Sequence, residues 1–91
     1  MELISTKFRM EFRELCVGLV LRQIDDIFQM GGIKLGVIPS GRNINGERRR
    51  RVEEYYASIN WENENDADKF LAVVGLILSQ SYISQELKAS L

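Results

Sequence analysis

Residues 6–30 read TKFRMEFRELCVGLVLRQIDDIFQM, and whether they form one helix or two decides how the chain folds. Phe8, Phe12 and Leu15 fall at steps of four and three, the spacing of one helix face. Past Gly18 the pattern restarts, with Val20, Ile24, Ile27 and Phe28 stepping by four, three and one. At ~100° per residue the second stripe is centred about 120–140° away from the first. One straight helix would then need two different apolar faces. Glycine weakens a helix interior by about 1 kcal/mol, so the spacing predicts a division near Gly18. Ser5 is placed to cap the first helix, and Met30-Gly31-Gly32 closes the second with a glycine signal.

Working outward, residues 33–46, IKLGVIPSGRNING, hold three of the seven glycines and the only proline. Ile33, Leu35 and Val37 alternate as in a strand, but no second strand is available to pair with them. We expect an extended loop whose apolar residues anchor it to the core. Its length marks it as a place where function tends to sit. Glu47 to Ile59 reads as a third helix capped by Asn45, and NWENEND (60–66) as a polar connection. Asn65 or Asp66 opens a fourth helix, with acids where the partial positive charge of a helix start favours them. It runs to about Gln80. Phe70, Leu71, Val73, Val74, Leu76, Ile77 and Leu78 surround it nearly completely, so it is expected to be the most buried element. Tyr82, Ile83 and Leu87 extend it or form a fifth helix. The expected fold is all-α: one domain over residues 1–91, a compact bundle of four to five helices with a long glycine-containing loop between the second and third. The chain ends at Leu91 with neither cap nor glycine, which we read as a cut inside a larger protein.

Composition removes several kinds of chemistry. There is no histidine and one cysteine, Cys16, so neither a Ser-His or Cys-His nucleophile nor a thiolate metal cluster can be assembled. Cys16 lies among apolar residues and reads as a buried thiol in a reducing compartment. Asp25-Asp26 and Glu53-Glu54 are neighbours that point about 100° apart on a helix, so neither pair converges as an acid/base couple. Arg22 is spaced to pair with Asp25 or Asp26 on the helix surface. Gly36, Gly41 and Gly46 precede a helix, but Gly41 is followed by Arg42-Asn43 rather than the lysine of a phosphate-binding loop. No catalytic residue, metal ligand, cofactor or small-molecule substrate is inferred. The longest apolar run, Phe70 to Leu78, is nine residues, far short of the ~20 that span a bilayer. Charges in MELISTKFRMEF (1–12) run through the place where a signal peptide would be apolar, so none is expected. We expect a cytoplasmic location.

The stretch GERRRRVEEYY (46–56) looks like a basic patch, yet the net charge is −1, from 12 basic and 13 acidic residues. On a helix the four arginines fan out at ~100° steps. Val52, Tyr55, Tyr56 and Ile59 form the core stripe, and Arg48 lies along it, one turn before Val52. That assigns Arg48 to the fold, either covering core with its stem or pairing with another helix. Arg49 and Arg51 flank the stripe and Arg50 points to solvent. Glu47, Glu53 and Glu54 are spaced to pair with them at about 0.2–0.5 kcal/mol each. Four cations oppose the dipole at the helix start by a similar amount, so local stability does not call for the run. Lys34, Arg42, Arg49, Arg50 and Arg51 are therefore the candidate partner-contact residues, a cationic rim around the loop.

The order of features from Leu21 to Leu78 carries a family likeness. LRQIDDIFQMGGI (21–33), the glycine loop and ERRRRVEEYYASINWENENDADKFLAVVGLIL (47–78) together resemble the small helical N-terminal domains of bacterial abortive-infection and other anti-phage defence proteins. The arginine start, the Tyr-Tyr pair, the INW turn and the acidic start of the next helix carry it. The resemblance implies a non-catalytic sensing, adaptor or oligomerisation domain, with any toxic or enzymatic part beyond residue 91. It carries over no residue roles. A protein partner or self-association is the leading expectation. The alternative is nucleic-acid binding through Lys34, Arg42 and Arg48 to Arg51, which would show as affinity falling steeply with salt.

Overall fold

Ser5 accepts a hydrogen bond from Phe8 N at 3.1 Å and so opens the first helix. In the computed structural model, which describes residues 2–79, that helix is α1, Thr6–Cys16. It stops where glycine predicts, with Gly18 N and Leu19 N bonded back to Leu15 and Cys16 carbonyls. The chain reverses and α2 runs Leu21–Met30. Val20, expected on the buried stripe, is instead the exposed N-cap of α2, its N–H donating to Gln23 Oε1 at 3.1 Å. Leu19 takes the buried place.

After the loop, α3 spans Glu47–Tyr56 and α4 spans Glu64–Ser79. Three expected boundaries move. Asn45 does not cap α3; Gly46 does, at φ 93°, a backbone geometry that a side chain would strain. The helix also ends three residues before Ile59, which stays buried from the following turn. At α4 the cap is Asn63, whose Oδ1 accepts from Asp66 N at 3.0 Å. All four elements are helices, and the described residues contain no strand: Ile33 to Val37 is irregular. The fold is an all-α bundle. The expected stretch beyond Ser79, including Tyr82, Ile83 and Leu87, lies outside the described residues.

Helix α3 packs against both α1 and α2, and α4 packs against α2. Phe12, Cys16, Ile24, Ile27, Phe28, Val52, Tyr55, Phe70, Val73 and Ile77 meet in the centre, each removed from water by its neighbours. Phe28 and Tyr55 stack with nearly parallel planes, centroids 4.5 Å apart, and Phe12 meets Phe70 edge-on at 5.2 Å, ring pairs that add to the burial they bring. The expectation that α4 is the most buried element is corrected. Phe70, Val73 and Ile77 are buried, but Leu71 is 51% and Leu78 39% exposed. An apolar sequence all round a helix does not bury a side that no described element covers. Among the described residues no helix is long and apolar enough to cross a membrane.

Candidate functional site

Each arginine of the α3 run takes a different direction, as the helical fan requires. Arg48 Nη1 donates to the Val17 carbonyl at 3.1 Å, so it satisfies a free carbonyl at the end of α1 rather than lying over the core. Arg49 grips Glu14 of α1 through three contacts of 2.7 to 3.0 Å. That hydrogen bonding holds Glu14 below the ordinary carboxylate range and raises Arg49. Arg51 Nη1 reaches both oxygens of Asp25 on α2, at 2.6 and 2.7 Å, with Glu54 a looser neighbour at 3.5 Å. Arg50 is exposed and has no ion pair among the described residues. The partners foreseen within α3 are thus mostly replaced by carboxylates of α1 and α2, which helix packing brings closer than one turn of the same helix does. Asp25 is committed to Arg51, and Arg22 makes no described ion pair.

The acid that matters most was not foreseen. Glu53 is buried at 7% exposure and sits between two guanidiniums. Arg13 Nη1 of α1 donates to its Oε2 at 2.7 Å, and Arg42 Nη1 of the loop to its Oε1 at 3.1 Å. Helical geometry alone places Glu53 about 110° from the core stripe. Its burial comes from the loop folding over that side of α3. A charge so placed needs partners to offset desolvation, and here it has one on each oxygen.

The loop is tied to α3 at a second point. Gly36 N donates to the Glu54 carbonyl at 2.7 Å. A Cβ at Gly36 would lie 2.7 Å from Ser58 N and 2.8 Å from Ala57 C, so only glycine lets the two backbones approach. Ile33 is buried, but Leu35 and Val37 are 52% and 89% exposed. The expected anchors are therefore corrected: Ile33, Gly36 and Arg42 hold the loop, while Leu35 and Val37 face water.

Between α1, this loop and the end of α3 lies a cleft of about 420 Å3. Met10, Val37 and Pro39 form an apolar wall, and Arg9, Arg13 and Arg42 are its cations, against Glu53 as the one lining acid. Arg9 lies over the Trp61 ring at 4.3 Å and is held by Glu2 at 2.6 Å. A second hollow of about 320 Å3 shares Arg13 and Arg42 and adds Asn43, Asn45 and Arg49.

The five predicted contact residues are accordingly not one rim. Arg42 and Arg49 line the same hollow. Arg51 belongs to the α2 side, Arg50 stands alone, and Lys34 lines a separate hollow of about 180 Å3 with Ser58, Asp66 and Lys69. Arg9, Arg13, Glu53 and Trp61 are the cleft residues that sequence reasoning missed. Arg9 and Arg13 are four apart on α1, a repeat that marks one helix face beside the apolar stripe. Comparison with known protein families, curated proteins and solved structures finds no match to this chain.

Proposed function

We propose that this chain is a non-catalytic protein-interaction domain, an adaptor or oligomerisation module. The observation that carries this reading is the loop: an irregular segment tied down at Ile33, Gly36 and Arg42 that nonetheless presents Leu35 and Val37 to solvent. Ordering backbone costs about 1–2 kcal/mol per residue, and apolar side chains left in water return none of it. A partner that covers them does. The likeness to anti-phage defence domains over Leu21 to Leu78 supplies the proposed setting, a bacterial cytoplasmic defence protein.

Sedimentation and cross-linking of the chain, alone and with candidate partners expressed beside it, test the reading. The double variant Leu35→Asp, Val37→Asp should lose the complex while its thermal midpoint stays put. A chain that remains monomeric and partnerless, or a complex indifferent to both substitutions, overturns it. The defence setting has its own test: the double variant should restore phage plating on a host that the unaltered protein protects. The nucleic-acid reading draws less support. Arg42, Arg49 and Arg51 already hold carboxylates, leaving Lys34 and Arg50 as the cations of that set with neither an ion pair nor a carbonyl partner among the described residues.

A further inference from the structure

The cleft between α1, the loop and the end of α3 has a chemistry more specific than an apolar contact. Its lining holds three guanidiniums and one carboxylate; Arg9 is also held by Glu2 and Arg13 touches Glu14, so the uncommitted positive charge of the cleft lies on Arg42. Arg42 is half exposed, and its described hydrogen bonding is a single N–H to Glu53. Most donors of its planar fork are free to meet another anion, and such a fork fits a carboxylate with two parallel bonds. Arg13 stands on the other oxygen of Glu53, so the two cations are fixed about one point. Beside them Met10 is 50% and Val37 89% exposed. A ligand complementary to this surface carries negative charge and an apolar side chain next to each other.

We propose that the cleft receives a short acidic segment of a partner protein, a carboxylate resting on Arg42 and Arg13 and an adjacent apolar side chain against Met10, Val37 and Pro39. This rests on the interaction-domain reading and names the partner's chemistry. Charge complementarity favours a peptide over a nucleic acid. A polyanion binds by neutralising many phosphates with free cations, whereas Arg9, Arg13 and Arg49 are spent on glutamates and only Arg42 keeps most of its donors open, enough for one carboxylate but not for a phosphate backbone. Stacking of bases needs an open ring face. Tyr56 is buried, and Trp61 carries Arg9 over its ring and meets Tyr56 and Phe70 in T-shaped contacts at 5.3 and 5.1 Å.

A random peptide display library selected against the full chain tests the proposal, with single-stranded oligothymidylate and inorganic phosphate as competing probes. The expected result is enrichment of peptides with Asp or Glu beside Leu, Ile, Met or an aromatic residue. Their affinity should drop at least tenfold in Arg42→Gln and, separately, in Val37→Asp, whose side chain takes no part in the fold. Arg50→Gln should bind as the unaltered chain does. Peptides without acidic enrichment, or binding unchanged in both cleft variants, overturn the proposal. So does tighter binding of oligothymidylate, displacement of every peptide by phosphate alone, or self-association through the cleft in place of peptide capture. If partner complexes persist in Arg42→Gln but vanish in the Leu35→Asp, Val37→Asp variant, this assignment falls and the interaction-domain reading stands. If no complex forms at all, the broader reading falls first.

Discussion

The two flanks of α3 use the same groups to opposite ends. Towards α2, Arg51 and the Tyr55 hydroxyl both reach Asp25, the latter at 2.7 Å, and directly beneath them Tyr55 stacks on Phe28. Towards α1 and the loop, Arg49 meets Glu14, and Arg13 and Arg42 meet Glu53, but an open cleft adjoins the bridge. One flank is sealed by rings; the other is bridged over space. Arginine–carboxylate pairing therefore does not itself say whether a surface is structural or receptive. What packs beneath the pair decides that.

The sharpest way to break this contrast is to empty the sealed side. Phe28→Ala removes the stacked ring and should cost about 4 kcal/mol, a large fraction of a small domain's stability, read from urea unfolding. Glu53→Ala comes next. It leaves Arg13 without its buried partner and frees Arg42, at about 3 kcal/mol, and it should speed protease cleavage within residues 37–45. A larger loss there than at Phe28 would mean that the open flank, not the ring stack, holds α3. Asp25→Asn keeps most of the shape but weakens the hydrogen bonds from Arg51 and the Tyr55 hydroxyl, for about 1–2 kcal/mol.

Titration separates the flanks without mutation. Burial, followed by the hydrogen bond to Asp25, pushes Tyr55 up from 10.0 to about 12, and burial raises Tyr56 further. A phenol with a raised folded pKa contributes stability that is complete below pH 10 and lost as pH climbs towards about 12. Tyrosinate absorbance in the native protein should therefore lag free tyrosine. Glu14 has the opposite sign: depressed mainly by its hydrogen bond to Arg49, it contributes above its ordinary 4.5 and loses that as pH falls below it. The pair is well exposed, so Arg49→Ala should be the mildest change, with a thermal midpoint indistinguishable from the unaltered chain.

How far these features were legible depends on whether neighbours in sequence settle them. The α1–α2 break followed from the clash of two apolar stripes around Gly18, a local contradiction that only a bend resolves. Tyr55 and Tyr56 in the core followed from spacing with Val52. The ion-pair partners did not, because Glu14 and Asp25 stand 35 and 26 residues from Arg49 and Arg51, and periodicity carries no information on which helix lies alongside. Glu53 was hidden for a related reason. Its burial comes from a loop whose path is set by the contact of Gly36 with Ser58, and neither residue announces that contact. Leu35 and Val37 misled in the other direction, since an apolar side chain in an irregular segment reads equally as anchor or as display.

The two ties of the loop, at Gly36 and Arg42, fall on either side of a turn at Ser40-Gly41, where a Cβ on Gly41 would meet nothing. Chain continuity between residues 37 and 41 is thus mechanically redundant: each end is moored to α3 independently. That arrangement predicts a chain that tolerates being split there. Two polypeptides, one ending before Ser40 and one beginning after Gly41, should reassemble through the α1–α3, α2–α3 and α2–α4 contacts. A reporter inserted at that turn would sit beside the cleft without being strung across it.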